Sequence, residues 1–152
     1  MIKVHPYRCG QEKELFDVFS SAIKEVCSKD YTPEQINAWL PSSYDADKWK
    51  SLMDKLKPYI AKVDGQVAGY ADLQKDGYID HFFVSARHQS QGVATALMDT
   101  LLKAGAGHDR LYAHVSITAR PFFEHKGFSV VSENVVVREG VELKNYIMER
   151  RG

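Results

Sequence analysis

The chain has 152 residues and 20 acidic residues balanced by 20 basic ones, so its formal net charge is zero. This length predicts a single domain, residues 1–152, with one hydrophobic core. The charge balance excludes attraction by net charge as a reason to bind nucleic acid or an anionic membrane, and we expect neither as a partner.

The sequence contains no residue pattern typical of a disulfide scaffold or a metal site. Its two cysteines, Cys9 and Cys27, are too few for a disulfide framework, and neither a CxxC nor an HExxH spacing occurs. We therefore expect free thiols and no bound metal. The first residues carry no long apolar run after a basic start, so we expect no signal peptide, no membrane span and a cytoplasmic location.

The first third of the chain predicts an outer strand followed by helices. Apolar side chains alternate weakly at the start and then recur at helical spacing. Thr32 followed by Pro33 is typical of a helix start. In chain order the elements are a strand over residues 2–8, a helix over 12–28, a helix that begins at Thr32 and stops at Pro41, and a further helical stretch capped by Asp45 or Asp47.

From residue 59 onward the pattern changes to strands. Three apolar runs, at residues 59–63, 67–73 and 78–84, are separated by the pairs Asp64-Gly65 and Asp76-Gly77. Asp-Gly pairs are strongly favoured in two-residue hairpin turns. We therefore predict a meander of three antiparallel strands.

The second half of the chain predicts a β-α-β unit and a final hairpin. A broad apolar helix runs from Gly92 to Gly105, and a strand over residues 110–116 follows it. A strand, helix and strand in this order make the two strands parallel. The remaining elements are a short helix over 118–126 and strands over 128–138 and 141–148. Together they predict an α/β (α+β) fold with a mixed seven-stranded sheet, a central β-α-β unit and about four helices.

The residues before the long apolar helix are typical of an anion-binding turn. Residues 89–92 lie where the helix begins, and a helix N-terminus presents unpaired N–H groups and about half a positive charge. Gly92 lets a ligand approach the backbone, and Ala94 keeps the next position shallow. We predict a phosphate site here; an ordinary helix start with a closely packed glycine is the alternative.

This turn also carries a resemblance to a known family. The pattern Gln-x-x-Gly-x-Ala at residues 89–94, between a strand and an amphipathic helix, resembles the acyl-coenzyme A signature of the GNAT superfamily of N-acyltransferases. The segment Ser116–Phe128 resembles the second landmark of that superfamily, a helix that leads to a Gly-Phe pair. With the tract Tyr31–Trp39 and the ending Asn145–Met148, the chain is similar over nearly its whole length to the YafP-like bacterial branch.

The resemblance implies an N-acetyltransferase that moves the acetyl group of acetyl-CoA to a primary amine of a small acceptor. Transfer would be direct, in a ternary complex without a metal, and we expect a monomer or a homodimer. The alternative is a sensor that binds acyl-CoA without turnover; a nucleotide-binding protein is a third hypothesis, disfavoured because no GxGxxG, GKS or GKT motif occurs. The resemblance also implies a backbone N–H near Val84 as the oxyanion donor. The implied cofactor-binding residues are Phe82, Phe83, Val84, Gln89, Ser90, Gln91, Gly92, Val93, Ala94, Thr95, Ser116 and Phe123.

The catalytic residues are where the chain departs from the superfamily. A tyrosine that can protonate the leaving thiolate is usual at the second position of the aromatic pair, but here that position is Phe123. Asp80 and His81 precede the turn and are candidates for the general base; an exposed strand face or a salt bridge is their alternative. Tyr146 is a candidate for the missing hydroxyl. His114 is a further candidate, although a half-buried, hydrogen-bonded histidine is the more common outcome.

We expect the acceptor pocket between the first two helices and the loop that joins them. Tyr31, Trp39, Tyr44 and Trp49 give this part of the chain a large aromatic area, which suits a small, partly apolar or aromatic acceptor. The helical spacing of Trp49 with apolar neighbours favours core packing for that residue. Tyr31 and Tyr44 lie beside loop residues and are the predicted substrate-binding residues.

Overall fold

Two four-stranded sheets form the framework of the computed structural model, which describes residues 1–152. The strands are β1 (Ile2–Pro6), β2 (Tyr59–Val63), β3 (Gln66–Ala71), β4 (Tyr78–Ile79), β5 (Phe82–Val84), β6 (Arg110–Ser116), β7 (Ser129–Arg138) and β8 (Val141–Arg151). The first sheet has the order β1-β2-β3-β5 and is antiparallel throughout. The second has the order β4-β6-β8-β7, in which only β4 and β6 are parallel.

The predicted strand over residues 78–84 is divided between these two sheets. Its first part, β4, pairs with β6, whereas its last part, β5, pairs with β3. The structure therefore has eight strands in two sheets, where the sequence predicts seven strands in one. The physical reason is that the backbone N–H groups of Asp80 and His81, between the two parts, donate to the side chain of Asp72.

Five α-helices cover the sheets, where the sequence predicts about four. They are α1 (Glu12–Ser21), α2 (Pro33–Trp39), α3 (Ala46–Leu56), α4 (Val93–Ala104) and α5 (Arg120–His125). The helix predicted after Asp45 or Asp47 is α3, and the Asp45 carboxylate caps its first turn at 3.1 Å from the Lys48 N–H. The predicted helix over 12–28 is helical as expected, although a π-helical turn and a 3₁₀ turn follow α1.

The predicted β-α-β unit is confirmed, since α4 connects the parallel strands β4 and β6. The start of α2 is also as predicted. Thr32 and Gln35 form a capping box in which each side chain accepts a hydrogen bond from the other residue's backbone N–H, with Pro33 in the first turn. Capping of this kind fixes where α2 begins and therefore where the loop before it runs.

The single core expected from the chain length consists of two hydrophobic clusters. One surrounds α4 and includes Leu97, Met98 and Leu101, all without solvent exposure. The other lies beneath α1, α2 and α3 and includes Trp49, as its spacing predicts. The indole N–H of Trp49 donates to the carbonyl of Glu12 at 2.8 Å, so this buried polar group is paired. None of the helices combines the length and hydropathy that crossing a bilayer requires.

The two predicted Asp-Gly turns have different surroundings, which gives a test of the fold. Gly77 has φ +92°, and a Cβ there would overlap the carbonyl oxygen of Arg110 at the start of β6. Gly65 has φ +83°, but a Cβ there would meet nothing within 4 Å.

We expect Gly65→Ala to lower the free energy of unfolding by about 1 kcal/mol. We expect Gly77→Ala to lower it by roughly 2 to 4 kcal/mol, because overlap adds to the backbone cost. Urea unfolding of both variants measures this, and equal losses would contradict the close approach of Gly77 to β6.

Candidate active site

The buried side chain of Asp72 holds the point where the two sheets part. Asp72 is 0% exposed, and its Oδ1 accepts hydrogen bonds from the backbone N–H groups of Asp80 at 3.0 Å and His81 at 2.6 Å. Its own N–H donates to the His81 carbonyl at 3.1 Å, and the Gln74 side-chain amide donates to Oδ2. The backbone N–H groups of Asp80 and His81 are thus bonded to a side chain rather than to a neighbouring strand, which opens a gap between β4 and β5.

Sequence reasoning missed Asp72, because one aspartate at the end of a strand is typical of a turn. Burial raises the pKa of its carboxyl to about 6, although the hydrogen bonds from the two backbone N–H groups and Gln74 oppose this shift. The only signal in the sequence is that Asp72 is the one charged residue of the apolar run at residues 67–73.

A cavity of about 360 Å³ lies on the β5 side of the gap. Eleven of the twelve predicted cofactor-binding residues line it: Phe82, Phe83, Val84, Gln89, Ser90, Gly92, Val93, Ala94, Thr95, Ser116 and Phe123. Gln91 is the exception, because its side chain turns back and donates to the Arg87 carbonyl at 3.3 Å. Sequence reasoning missed the contribution of Ala22, Val26 and Cys27 at the end of the first helical region, and of His88, Thr118, Ala119 and Phe122.

The turn before α4 has the backbone geometry of an anion site. Gly92 is the N-cap with φ +87° and no capping side chain, and Ser90 also has a positive φ of 60°. The first N–H groups of α4 are therefore not satisfied by a cap. The Gln89 side-chain amide donates to the carbonyls of Val84 at 3.0 Å and Ser85 at 3.2 Å, which ties the turn to the end of β5. This arrangement places a partly positive helix end beside the cavity on the β5 side.

A second cavity of about 1130 Å³ lies on the opposite side of the gap. Residues from α1, α2, α3 and the β7–β8 hairpin line it, together with Asp80, His81 and His114. Phe83 and Ser116 line both cavities. The two cavities therefore meet where the strand is divided.

His81 is the half-buried titratable group at this meeting point. Its Nδ1 lies 3.0 Å from the hydroxyl of Tyr70, and its ring stacks on Phe19 with centroids 5.8 Å apart. Burial lowers the pKa of the imidazole, and the guanidinium of Arg138 lowers it further, whereas Asp80 opposes them. The ring is therefore neutral near neutral pH and can accept a proton. Asp80 itself is exposed on the wall of the larger cavity.

Three predicted tyrosines lie in different surroundings. Tyr31 lines the larger cavity, but its hydroxyl donates to the Lys144 carbonyl at 2.6 Å and accepts from the Ile117 N–H at 3.0 Å, so it braces the wall. Tyr44 lines neither cavity; it packs on Phe16 with ring centroids 4.6 Å apart.

Tyr146 also lines neither cavity. It is 8% exposed and pairs with Val115 on the face of the second sheet that carries α5, while the neighbouring pair Ser116 and Asn145 faces the cavity. The guanidinium of Arg120 lies 4.5 Å from its ring centroid. The alternation of β8 therefore separates Tyr146 from Asp80 and His81.

The raised pKa of Asp72 gives a stability prediction with a defined sign. Its carboxyl ionises near pH 6 in the folded chain but near its ordinary 3.8 in the unfolded chain, so the folded state loses relative stability as pH rises between these values. Asp72→Asn keeps an oxygen that can accept both N–H groups and carries no charge. We expect the stability of this variant relative to wild type to increase by about 2 kcal/mol from about pH 4 to about pH 7.5.

Urea unfolding at the two pH values measures this difference, and Asp76→Asn is the matched control. The Tyr112 hydroxyl, at 2.6 Å, and the Tyr78 N–H lower the pKa of the Asp76 carboxyl. The stability of the control relative to wild type should therefore fall as pH rises. A relative stability of Asp72→Asn that does not change with pH would contradict a buried ionised carboxylate at this position.

Comparisons with known proteins identify the family. A model described as an acetyltransferase (GNAT) domain matches residues 27–150. The chain is 33% identical over 147 residues to YafP of Escherichia coli K12, an uncharacterized N-acetyltransferase, and the match covers 97% of this chain and 94% of the relative.

Solved structures agree with this match. A GCN5-related N-acetyltransferase from Rhodopseudomonas palustris has a TM-score of 0.92 at 26% identity, covering 99% of this chain and 95% of the other. YncA from Salmonella typhimurium, a putative acetyltransferase with its cofactor acetyl-CoA, has a TM-score of 0.71 at 17% identity, covering 99% and 94%. The family model spans most of the sequence, and the divided strand, the glycine turn and the β-α-β unit lie within it. The chain therefore belongs to the GNAT family of acetyltransferases.

Proposed function

We propose that the protein transfers the acetyl group of acetyl-CoA directly to a primary amine of a small acceptor, in a ternary complex. The observation that carries this proposal is the meeting of two cavities at Phe83 and Ser116, beside the divided strand. Direct transfer needs the donor and the acceptor to be bound at once with their reacting atoms in contact. Family membership and the acetyl-CoA held by the Salmonella relative support the identity of the donor.

The smaller cavity is the donor side. The diphosphate of acetyl-CoA would lie on the unpaired N–H groups at the start of α4, beside Gly92. The pantetheine arm would extend along β5, which is the last strand of its sheet and has one edge without a partner. The Ser85 N–H donates to the Ala68 carbonyl, so by antiparallel alternation the N–H of Val84 points to that free edge. Val84 is therefore well placed to donate to the developing oxyanion.

The larger cavity is the acceptor side. The neutral imidazole of His81 would accept a proton from the acceptor amine, directly or through a water molecule. Asp80 would attract the amine in its charged form. The nitrogen then attacks the thioester carbonyl, the new N–C bond forms, and the C–S bond breaks with its electron pair on sulfur. The second proton leaves the nitrogen and is taken up by that sulfur, directly or through a water molecule.

The leaving thiolate does not require a tyrosine in this scheme. A thiol has a reference pKa of about 8.5, so the thiolate is a moderate leaving group at neutral pH. Phe123 packs against Phe82 and Phe128 with ring centroids 5.4 and 5.0 Å apart, which shapes the donor cavity. Cys27 also lines this cavity, but burial raises the pKa of its thiol to about 11. A cysteine with so high a pKa is a poor nucleophile, which favours direct transfer over an acyl-enzyme.

Gly92 tests the diphosphate site. Gly92→Asp should weaken coenzyme A binding by roughly 100-fold or more, because it places one repelling charge at a site of partly buried phosphate. Gly92→Asn is the matched control, because it has nearly the same shape, tolerates a positive φ equally well and carries no charge. Isothermal titration calorimetry with coenzyme A measures both, and thermal unfolding checks the fold. Equal affinities of the two variants for coenzyme A would contradict a diphosphate site at this turn.

His81 and Asp80 test the proton transfer. We expect His81→Gln to lower kcat by about 10²- to 10⁴-fold and to abolish the loss of activity at acid pH, which in wild type should lie below about pH 6.5 because burial lowers the His81 pKa. We expect Asp80→Asn to raise the KM for the amine more than it lowers kcat. Release of free thiol from acetyl-CoA with a panel of primary amines measures both variants.

The same assay decides which residue is the base and whether the protein is a transferase or a sensor. A His81→Gln variant with wild-type kcat, together with an inactive Asp80→Asn variant, would assign the base to Asp80. Saturable coenzyme A binding without thiol release from any amine in the wild-type protein would favour the sensor.

A further inference from the structure

Two unpaired charges of opposite sign lie on the wall of the acceptor cavity near His81. Asp80 and Arg138 both line this cavity, and neither takes part in any ion pair of the structure. Both act electrostatically on the His81 imidazole, in opposite directions. The carboxylate and the guanidinium are therefore within electrostatic range of the same ring but do not neutralise each other.

The position of Arg138 on its strand directs it to the cavity. Arg138 is the last residue of β7, and strand alternation puts it on the same face as Val136, which pairs with Leu143 and lines the cavity. Val135 and Val137 are on the other face, 54% and 63% exposed. Arg138 thus extends the apolar wall at the turn of the β7–β8 hairpin.

Some of the other charged groups of the cavity wall are paired, and others are free. The Lys144 ammonium pairs with Glu133 at 3.0 Å and lies near the ring of Tyr146, on the face away from the cavity. The Asp45 carboxylate caps the first turn of α3. Lys48, in the same turn, lines the cavity and takes part in no ion pair. Glu139 follows Arg138 in the chain but forms no ion pair with it. Of the two free cations on this wall, Lys48 belongs to α3, whereas Arg138 belongs to the sheet and acts electrostatically on His81.

The wall also carries several aromatic side chains. Phe16, Phe19, Trp39 and Trp49 come from α1, α2 and α3, and they face the same space as Asp80 and Arg138. Aromatic side chains favour an apolar or aromatic group on the ligand. The guanidinium of Arg138 can pair with a carboxylate, the carboxylate of Asp80 can pair with an amine, and the aromatic side chains can contact an apolar group. Together they match a molecule that carries all three groups.

We propose that the acceptor is an amino carboxylic acid with an apolar or aromatic side chain, whose carboxylate pairs with Arg138 while its amine lies between Asp80 and His81. This inference rests on the proposed acetyl transfer. The planar guanidinium of arginine matches a carboxylate with two parallel hydrogen bonds, which gives orientation as well as affinity. An amine without the carboxylate leaves Arg138 unpaired and has one fewer group to orient it. The products are the N-acetylated acid and coenzyme A, with one proton of the ammonium transferred to His81 and the other to the sulfur of coenzyme A.

Matched pairs of acceptors test this inference directly. Phenylalanine and phenethylamine, tyrosine and tyramine, and leucine and isoamylamine differ by the carboxylate alone. Thiol release gives kcat/KM for each, and the ratio of acid to amine within a pair isolates the carboxylate. We expect the wild-type protein to favour the acid in at least one pair by roughly 10- to 100-fold, the range of one charge-assisted contact.

Variants of Arg138 connect that ratio to the residue. Arg138→Gln should reduce the ratio by roughly 10- to 100-fold, mainly through the KM for the acid, and Arg138→Lys should retain part of it. Arg138→Glu should reverse the preference toward the amine. Arg8→Gln is the matched control, because Arg8 is an exposed arginine outside both cavities, and it should leave every ratio unchanged.

The outcomes separate this inference from the proposed function. Two outcomes would overturn the carboxylate site while leaving acetyl transfer in place. In the first, the wild-type protein releases thiol with the amines at least as fast as with the corresponding acids. In the second, the preference for the acid persists in Arg138→Gln. Acetyl-CoA binding without thiol release from any of the six acceptors would count against the transfer itself and against this inference with it. Thermal unfolding of each variant confirms that the compared proteins are folded.

Discussion

The architecture of this protein depends on one buried carboxylate that accepts hydrogen bonds from two consecutive backbone N–H groups. Asp72 binds the N–H groups of Asp80 and His81, so that these two residues leave the ladder between neighbouring strands. The chain then contributes β4 to one sheet and β5 to the other. Burial raises the pKa of Asp72, so ionising it costs stability. Its hydrogen bonds instead fix the backbone at the site where the reaction would occur.

The divided strand also separates two cavities that differ in which groups of the protein would contact a ligand. On its β5 side, the glycine turn and a free strand edge form a site that depends on backbone groups, which suits a cofactor whose phosphates and amides recur in every reaction. On its other side, the cavity is lined by side chains, from the aromatic residues of the first three helices to Arg138 on the hairpin. Specificity for the acceptor can therefore vary through these side chains without disturbing the donor site.

Local patterns were sufficient to predict most of the elements and most of the residues that line the smaller cavity. The capping pattern at Thr32, the Asp-Gly turns and the glycine at position 92 each act within a few residues. In the structure α2 begins after Thr32, the two turns are present, and α4 begins after Gly92. The division of the strand was not predictable in this way. It depends on hydrogen bonds between Asp72 and residues eight and nine positions later, and nothing in the spacing indicates that this carboxylate is buried.

The direction of individual side chains was the other feature that the sequence did not predict. Tyr146 was a reasonable candidate for a hydroxyl near the thioester, but the alternation of β8 points it to the α5 face. Arg138 carried no motif at all, and only the pairing of β7 with β8 reveals that it shares a face with the cavity wall. A shift of one residue in register would exchange the two faces, and short sequence patterns do not determine register to that accuracy.

The most direct test of this account is a crystal structure of the protein with acetyl-CoA. We expect the diphosphate to accept hydrogen bonds from the N–H groups of residues 89–95, and the thioester oxygen to lie about 3 Å from the Val84 N–H, at the gap between β4 and β5. His81 should lie on the acceptor side of the same thioester. A thioester bound away from the gap, or a diphosphate away from the start of α4, would contradict the claim that the divided strand brings donor and acceptor together.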